Sequence, residues 1–330
     1  MASALKMIIR LLRARLEQSF VVCARRFIIR RNRARALGLA RGLGDAAFFC
    51  ARRYCRVADA NLVRMFGPRL SRRRRRAVSR AHFRHAARVF IDSCWFSHDA
   101  HNRIGAWCRI DDDLRAWLCR HRGGILITGH FGNWEVAGQM VAALGFPLTS
   151  VAKPIGSAAT TRIINAFRSS LGQKIVMADG AVRRLMRALR AGDFVALLLD
   201  QHVDTSEGGV WVDFFGLPVA VSNVAGRLSV HDARPVAVCF AQAYPDGHYR
   251  LRLLGECTVQ SGDDPAAVTQ RIMTWLEQGI RRFPSQWLLC YKRWKRWPPG
   301  ADASQYPDYA RPWHPKVMPP DQPPEARRSP

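Results

Sequence analysis

The sequence predicts an α/β fold, a largely parallel central sheet flanked by helices, preceded by a basic helical N-terminal region. Three observations predict it. From residue 123 onward, short apolar runs rich in β-branched residues alternate with segments of helical period, the signature of strand–helix–strand units. The clearest runs, Ile125-Leu126-Ile127-Thr128 and Phe194-Val195-Ala196-Leu197-Leu198-Leu199, are apolar almost throughout, as strands covered on both faces are. An apolar fraction of 48% with ten tryptophans in 330 residues supplies enough material for one large core.

Residues 1–60 read as basic helices, with Gly38, Gly42 and Gly44 expected to mark a break. Within them Leu5, Ile8, Ile9, Leu12, Leu16 and Phe20 recur at helical spacing while Lys6, Arg10, Arg13 and Glu17 mark another face, an amphipathic pattern suited to an anionic membrane surface. A second helical region is expected over 71–96. Strands are expected at 125–128, 148–152, 174–177, 194–199, 235–241 and 249–254, and helices at 134–144, 160–171, 181–191 and 265–283. The chain thus divides into a membrane-associating region over 1–60, an α/β domain over 61–300 and a proline-rich, irregular and partly disordered tail over 301–330.

Charge is the outlying property. The chain carries 52 Lys and Arg against 25 Asp and Glu, a formal net charge of +27, concentrated before residue 123 and densest at Arg72 to Arg76. Such an excess implies an anionic partner: a nucleic acid, an anionic lipid surface or an acidic carrier protein. No zinc-finger or RNP-type motif supports a nucleic acid. The nine cysteines are irregularly spaced without a C-x-x-C pair, so neither a metal site nor a disulfide framework is expected. No apolar stretch reaches the roughly 18 residues of a spanning helix.

The chemistry is concentrated in Gly129-His130-Phe131-Gly132-Asn133-Trp134-Glu135, which comes directly after a predicted parallel strand, where open α/β sheets bind ligands. A histidine there can take a proton near neutral pH, and a carboxylate on its other nitrogen would fix the tautomer. His130 and Glu135 could supply that pair. On a straight helix their side chains would stand about 140° apart, so they meet only if the backbone bends. Gly132 permits the bend, and Asn133 is a suitable N-cap for a helix beginning at Trp134.

This segment resembles the signature of the bacterial lipid A late acyltransferases, the lauroyl/myristoyl transferase branch of the lysophospholipid acyltransferase superfamily. The resemblance continues through Lys153-Pro154, Arg168 with Gly172, Asp200-Gln201, Phe214-Phe215-Gly216, Pro284-Ser285-Gln286-Trp287 and Lys292-Arg293-Trp294-Lys295, over roughly residues 5–300. The chain departs from the family pattern at Trp211, Asp213, Leu289, Tyr291 and Trp297. The resemblance implies a glycerol-3-phosphate acyltransferase-like fold and an enzyme on the cytoplasmic face of the inner membrane. Such an enzyme takes an acyl chain from acyl carrier protein, or from acyl-CoA, and passes it to a glycolipid acceptor without a cofactor. His130 would be the general base, supported by Glu135. Arg168 and Lys153 would anchor phosphate, Asp200 and Gln201 would line the same crevice, and the helix start at Asn133 would offer donors to the oxyanion.

Overall fold

The computed structural model describes residues 18–19, 21–154 and 158–314. The amphipathic segment ending at Phe20 therefore lies outside the described residues. The chain next builds a layer of helices: α1 (residues 21–29), α2 (Arg33–Cys50), α3 (Arg52–Phe66) and α4 (Arg72–Trp95). Asn32 caps α2 by accepting from the Arg35 amide, and Ser71 caps α4 by accepting from that of Arg74. The expected break at the glycines does not occur, because α2 runs through all three. A Cβ at Gly44 would stand 2.3 Å from the Arg84 Cα. That glycine therefore lets α2 and α4 pack backbone to backbone instead of ending a helix.

Next come α5 (Ala100–Trp107), β1 (Cys108–Ile110), α6 (Asp112–Arg120), β2 (Gly124–Thr128), α7 (Trp134–Ala143), β3 (Leu148–Ala152), α8 (Ala158–Arg168), β4 (Lys174–Met177), α9 (Ala181–Arg190) and β5 (Phe194–Leu198). A hairpin of β6 (Gly209–Phe214) and β7 (Leu217–Ser222) succeeds them. Then come α10 (Val224–Asp232), β8 (Val236–Ala243), β9 (Tyr249–Cys257) and α11 (Pro265–Arg282), with two-residue strands β10 (Arg296–Trp297) and β11 (Arg311–Pro312) near the end. The hairpin turns at Phe215 and Gly216, both with positive φ of 53° and 74°, the geometry whose twist suits a two-residue connection.

The central sheet has the order β1-β9-β8-β2-β5-β3-β4. Its pairs are parallel except β8 with β9, so the architecture is the mainly parallel α/β sheet that the sequence predicts. Alternate residues of β2 and β5 enter two separate cores: Ile125, Ile127, Val195 and Leu197 on one face, Leu126 and Phe194 on the other. Full burial of both faces explains why these strands are apolar runs rather than alternating ones.

One register positions the site. Strands β2 and β5 pair from Gly124↔Phe194 to Thr128↔Leu198, a constant offset of 70 residues. Carried two residues beyond the strands, that offset sets His130 beside Asp200. Strands β3 and β5 pair only as far as Ser150↔Ala196, whereas β3 stays with β4 to Ala152↔Met177 and β5 stays with β2 to Leu198. At the far end, residues 301–314 are not a free tail: Tyr306 and Ala310 are buried, and the Tyr309 hydroxyl bonds the Asn61 side chain. The remainder of the proline-rich segment lies outside the described residues.

Candidate active site

His130 sits in the turn between β2 and α7. Its Nδ1 lies 2.8 Å from Asp200 Oδ1, and its backbone N–H donates to Asp200 Oδ2 at 2.8 Å. The indole N–H of Trp287 donates to the same Oδ2 at 2.9 Å. Asp200 is buried and receives these donors together, so its carboxylate is fixed. It holds the proton on Nδ1 and leaves Nε2 as the basic nitrogen. Gln201, the next residue, places its amide nitrogen 3.4 Å from His130 Nε2, so neighbouring side chains at the end of β5 bracket both ring nitrogens. Trp134 packs edge-on against the imidazole at 4.9 Å between ring centres.

This packing sets the electrostatics. Burial opposes protonation of His130, but the Asp200 carboxylate outweighs it, Glu135 adds to the same side, and the imidazole pKa is raised. Burial would likewise push Asp200 up, yet the His130 charge and the hydrogen bonds from His130 and Trp287 bring it below the ordinary carboxylate value.

Glu135 does not take the Nδ1 position that the sequence predicts for it. It occupies the first turn of α7 and forms a two-pronged ion pair with Arg168 at the end of α8. Arg168 Nε lies 2.8 Å from Oε2 and Nη2 lies 2.6 Å from Oε1. The physical reason is the angular spacing of residues five apart: the bend at Gly132 turns His130 toward β5, whereas Glu135 stays with the helix and points toward α8. Gly132 itself has φ of 63°, and a Cβ there would stand 2.2 Å from the Ala241 carbonyl oxygen, so both conformation and space require glycine.

His130, Glu135, Lys153, Arg168 and Gln201 all line one cleft of about 510 Å³. Lys153 is exposed, at the end of β3. The body of the cleft is apolar, with Leu148, Val151, Ile175, Leu185 and Leu199 among its walls, and its residues come from both faces of the sheet, Leu126 and Ile127 being successive in β2. Such a passage is possible where β3 parts from β5. Asn133 differs from the other candidates. It is fully buried, its Oδ1 accepts from the Val136 amide at 3.2 Å and its Nδ2 donates to the Tyr249 hydroxyl at 3.1 Å, so it serves the turn and is not part of the cleft wall.

Four supports of the site carry no assignment from the sequence. The backbone of Gln286 accepts from the Gly132 amide, Leu288 donates to the His130 carbonyl, and Trp287 completes the shell around Asp200. The closing motif at Pro284 to Trp287 thus braces the turn that carries His130. His85 on α4 donates from Nε2 to the Gly132 carbonyl at 3.0 Å. Burial pushes that imidazole down to about 4, which keeps it neutral.

Comparison with known proteins bears on this geometry. The family described as bacterial lipid A biosynthesis acyltransferase matches residues 15–296. The chain belongs to that family. It is 27% identical over 198 residues to a phosphatidylinositol mannoside acyltransferase of Mycolicibacterium smegmatis, covering 59% of this chain and 64% of that protein. It is 29% identical over 189 residues to the Mycobacterium tuberculosis protein of the same name, covering 56% of this chain and 58% of that one. The match thus spans less than two thirds of either relative. A lipid A biosynthesis palmitoleoyltransferase of Escherichia coli is 26% identical over 254 residues, 74% of this chain and 79% of that protein.

Proposed function

We propose that this member of the lipid A biosynthesis acyltransferase family transfers a fatty acyl group from a thioester, carried by acyl carrier protein or coenzyme A, to a hydroxyl of a lipid A precursor. The observation that carries the reading is the His130–Asp200 pair opening on a mostly apolar cleft. A base with its tautomer fixed meets a space that suits a hydrocarbon chain, within the roughly 300–1,000 Å³ usual for ligand pockets.

In this mechanism Nε2 of His130 accepts the proton of the acceptor hydroxyl as its oxygen attacks the thioester carbonyl. The tetrahedral intermediate then expels the thiolate, which takes the proton from the imidazolium. Asp200 stabilises that imidazolium. Gln201 sits where its amide can donate to the developing oxyanion once the acceptor displaces it from Nε2. Glu135 supports the protonated ring through space and holds the Arg168 guanidinium in the cleft. There, with Lys153, Arg168 offers positive charge to a phosphate of the acceptor or of the carrier arm.

The site is proposed to face the cytoplasmic leaflet of the inner membrane. No helix among the described residues is long and apolar enough to cross a membrane. The exposed Phe27, Leu43, Phe49 and Tyr54 lie on the arginine-rich helical layer, an association suited to an anionic interface. Likeness to the mycobacterial proteins supports a second acceptor, a mannosylated phosphatidylinositol-type glycolipid, with the same residues doing the same chemistry. Purified protein supplied with acyl carrier thioester and each acceptor in turn, with products weighed by mass spectrometry, decides between them. Absence of acyl transfer to any lipid hydroxyl would overturn the proposal.

A further inference from the structure

Behind the catalytic turn lies a second buried polar assembly that the proposed chemistry does not use. Asp92 on α4 is completely buried. Its Oδ2 accepts from Arg33 Nη2 at 3.0 Å and from Arg88 Nε at 3.2 Å, and also from the Tyr249 hydroxyl at 2.6 Å. Arg33 and Arg88 are themselves tied to the Gly247 carbonyl, before the start of β9. The Tyr249 ring is 1% exposed, so its hydroxyl has no water to turn toward.

The direction of each hydrogen bond matters. A carboxylate accepts only, so the Tyr249 proton must point at Asp92. That leaves a lone pair on the tyrosine oxygen facing Asn133, which requires Nδ2, the donor end of the amide, at that position. The carbonyl end is then fixed on the Val136 amide, where it caps α7. In a fully buried amide neither end can exchange its partner for solvent. The polarity set at Asp92 is thus transmitted through two side chains to the first turn of the helix that carries Glu135, three residues from His130.

We propose that Asp92 and Tyr249 are positioning residues: a buried relay from the basic N-terminal helices that sets the orientation of Asn133 and so clamps the His130-to-Glu135 turn in its reactive geometry. The clamp touches neither ring nitrogen of His130 and no wall of the cleft. Arg33 of α2 ends one branch of it at a 4% exposed side chain, which makes the N-terminal layer part of the site's support and not a detachable anchor. The consequence for catalysis rests on the acyltransferase reading; the clamp itself does not.

The test uses Tyr249→Phe, which keeps the ring and removes the hydroxyl, alongside Asp92→Asn, in the full chain. Hydrogen exchange followed by mass spectrometry should show peptides over 130–137 exchanging about tenfold or more faster in Tyr249→Phe, while β5 keeps its protection. In the acyl-transfer assay the same variant should lose about tenfold or more in kcat with KM for both substrates unchanged, since small misplacement of a catalytic group costs rate and not affinity. Unchanged exchange over 130–137 in folded Tyr249→Phe overturns the clamp, whatever the rate does. Faster exchange at 130–137 with unaltered kcat overturns its role in catalysis. If the wild-type chain transfers no acyl group, the acyltransferase reading fails while the exchange comparison still decides the clamp. Should Asp92→Asn fail to fold, Tyr249→Phe alone decides.

Discussion

Asp200 and Glu135 are the two carboxylates of the site, nearly buried at 3% and 11% side-chain exposure, yet the fold gives them different cations. Asp200 faces an imidazole, whose charge changes during a proton transfer. Glu135 faces a guanidinium, whose charge is permanent. A carboxylate on imidazole tunes a base; a carboxylate on arginine fixes a charge in place. Carboxylates of one site are thus paired in one case with a group that can change charge and in the other with a group that cannot.

If that division is correct, the largest losses belong to the first pair. His130→Ala and Asp200→Ala should each lower kcat/KM by about 10²- to 10⁴-fold in folded protein, and the double variant should be little worse than either single one. Near-normal turnover by His130→Ala would dissolve the mechanism. A sharper version keeps the size of Asp200 and removes its charge. Because Asp200 raises the His130 pKa and the base must be unprotonated, the acid limb of kcat/KM should lie above about 6.5, the ordinary histidine value. In Asp200→Asn it should move to lower pH, with reduced maximal activity. A limb that stays in place, or moves up, would mean that another group titrates.

Glu135 and Arg168 should behave as one unit. Glu135→Ala and Arg168→Ala are each expected to cost about tenfold or more, and the double variant no more than the worse single, since either loss abolishes the same pair. Additive losses would show that Glu135 acts on His130 independently, as the sequence alone suggests.

The comparison also explains what could be read in advance. Strands β2 and β5 were legible because both faces are buried, which writes burial into every residue of the run. The turn at His130 was legible because glycine, histidine and an N-cap each have few roles at a strand end. The Asp200 pairing was not, since nothing in the spacing says that β5, with β3 and β4 between them in sequence, lies beside β2. Gly44 misled for a related reason: a glycine that admits a neighbouring backbone looks the same in sequence as one that ends a helix. The β6–β7 hairpin was not legible, because two adjacent phenylalanines before a glycine suit a buried run as well as a tight turn, and the positive φ angles at Phe215 and Gly216 show the turn. Charge density concealed a similar split, for Arg33 and Arg88 are buried against Asp92 while Arg72, Arg73, Arg74 and Arg76 are exposed.

That last contrast gives the smallest expected effect. Arg72, Arg73, Arg74 and Arg76 stand at the exposed start of α4, with Arg76 over the Phe48 ring at 5.1 Å. An exposed cation attracts an anionic carrier or membrane only at long range, and salt screens that attraction over about 8–10 Å at physiological ionic strength. Replacing the four with glutamine should therefore raise the apparent KM for acyl carrier thioester or vesicle-borne acceptor a few-fold at low salt. It should leave kcat intact, and the defect should vanish at high salt. Arg168 is different in kind: its guanidinium is 14% exposed and held by Glu135 in the cleft, so bulk ions screen it poorly. The Arg168→Ala defect should persist at both ionic strengths. Steady-state kinetics of the two variants at roughly 50 and 500 mM salt, about threefold apart in screening length, separate the cases. Equal and fully salt-suppressible defects would make Arg168 one more surface cation and remove it, with Glu135, from the site.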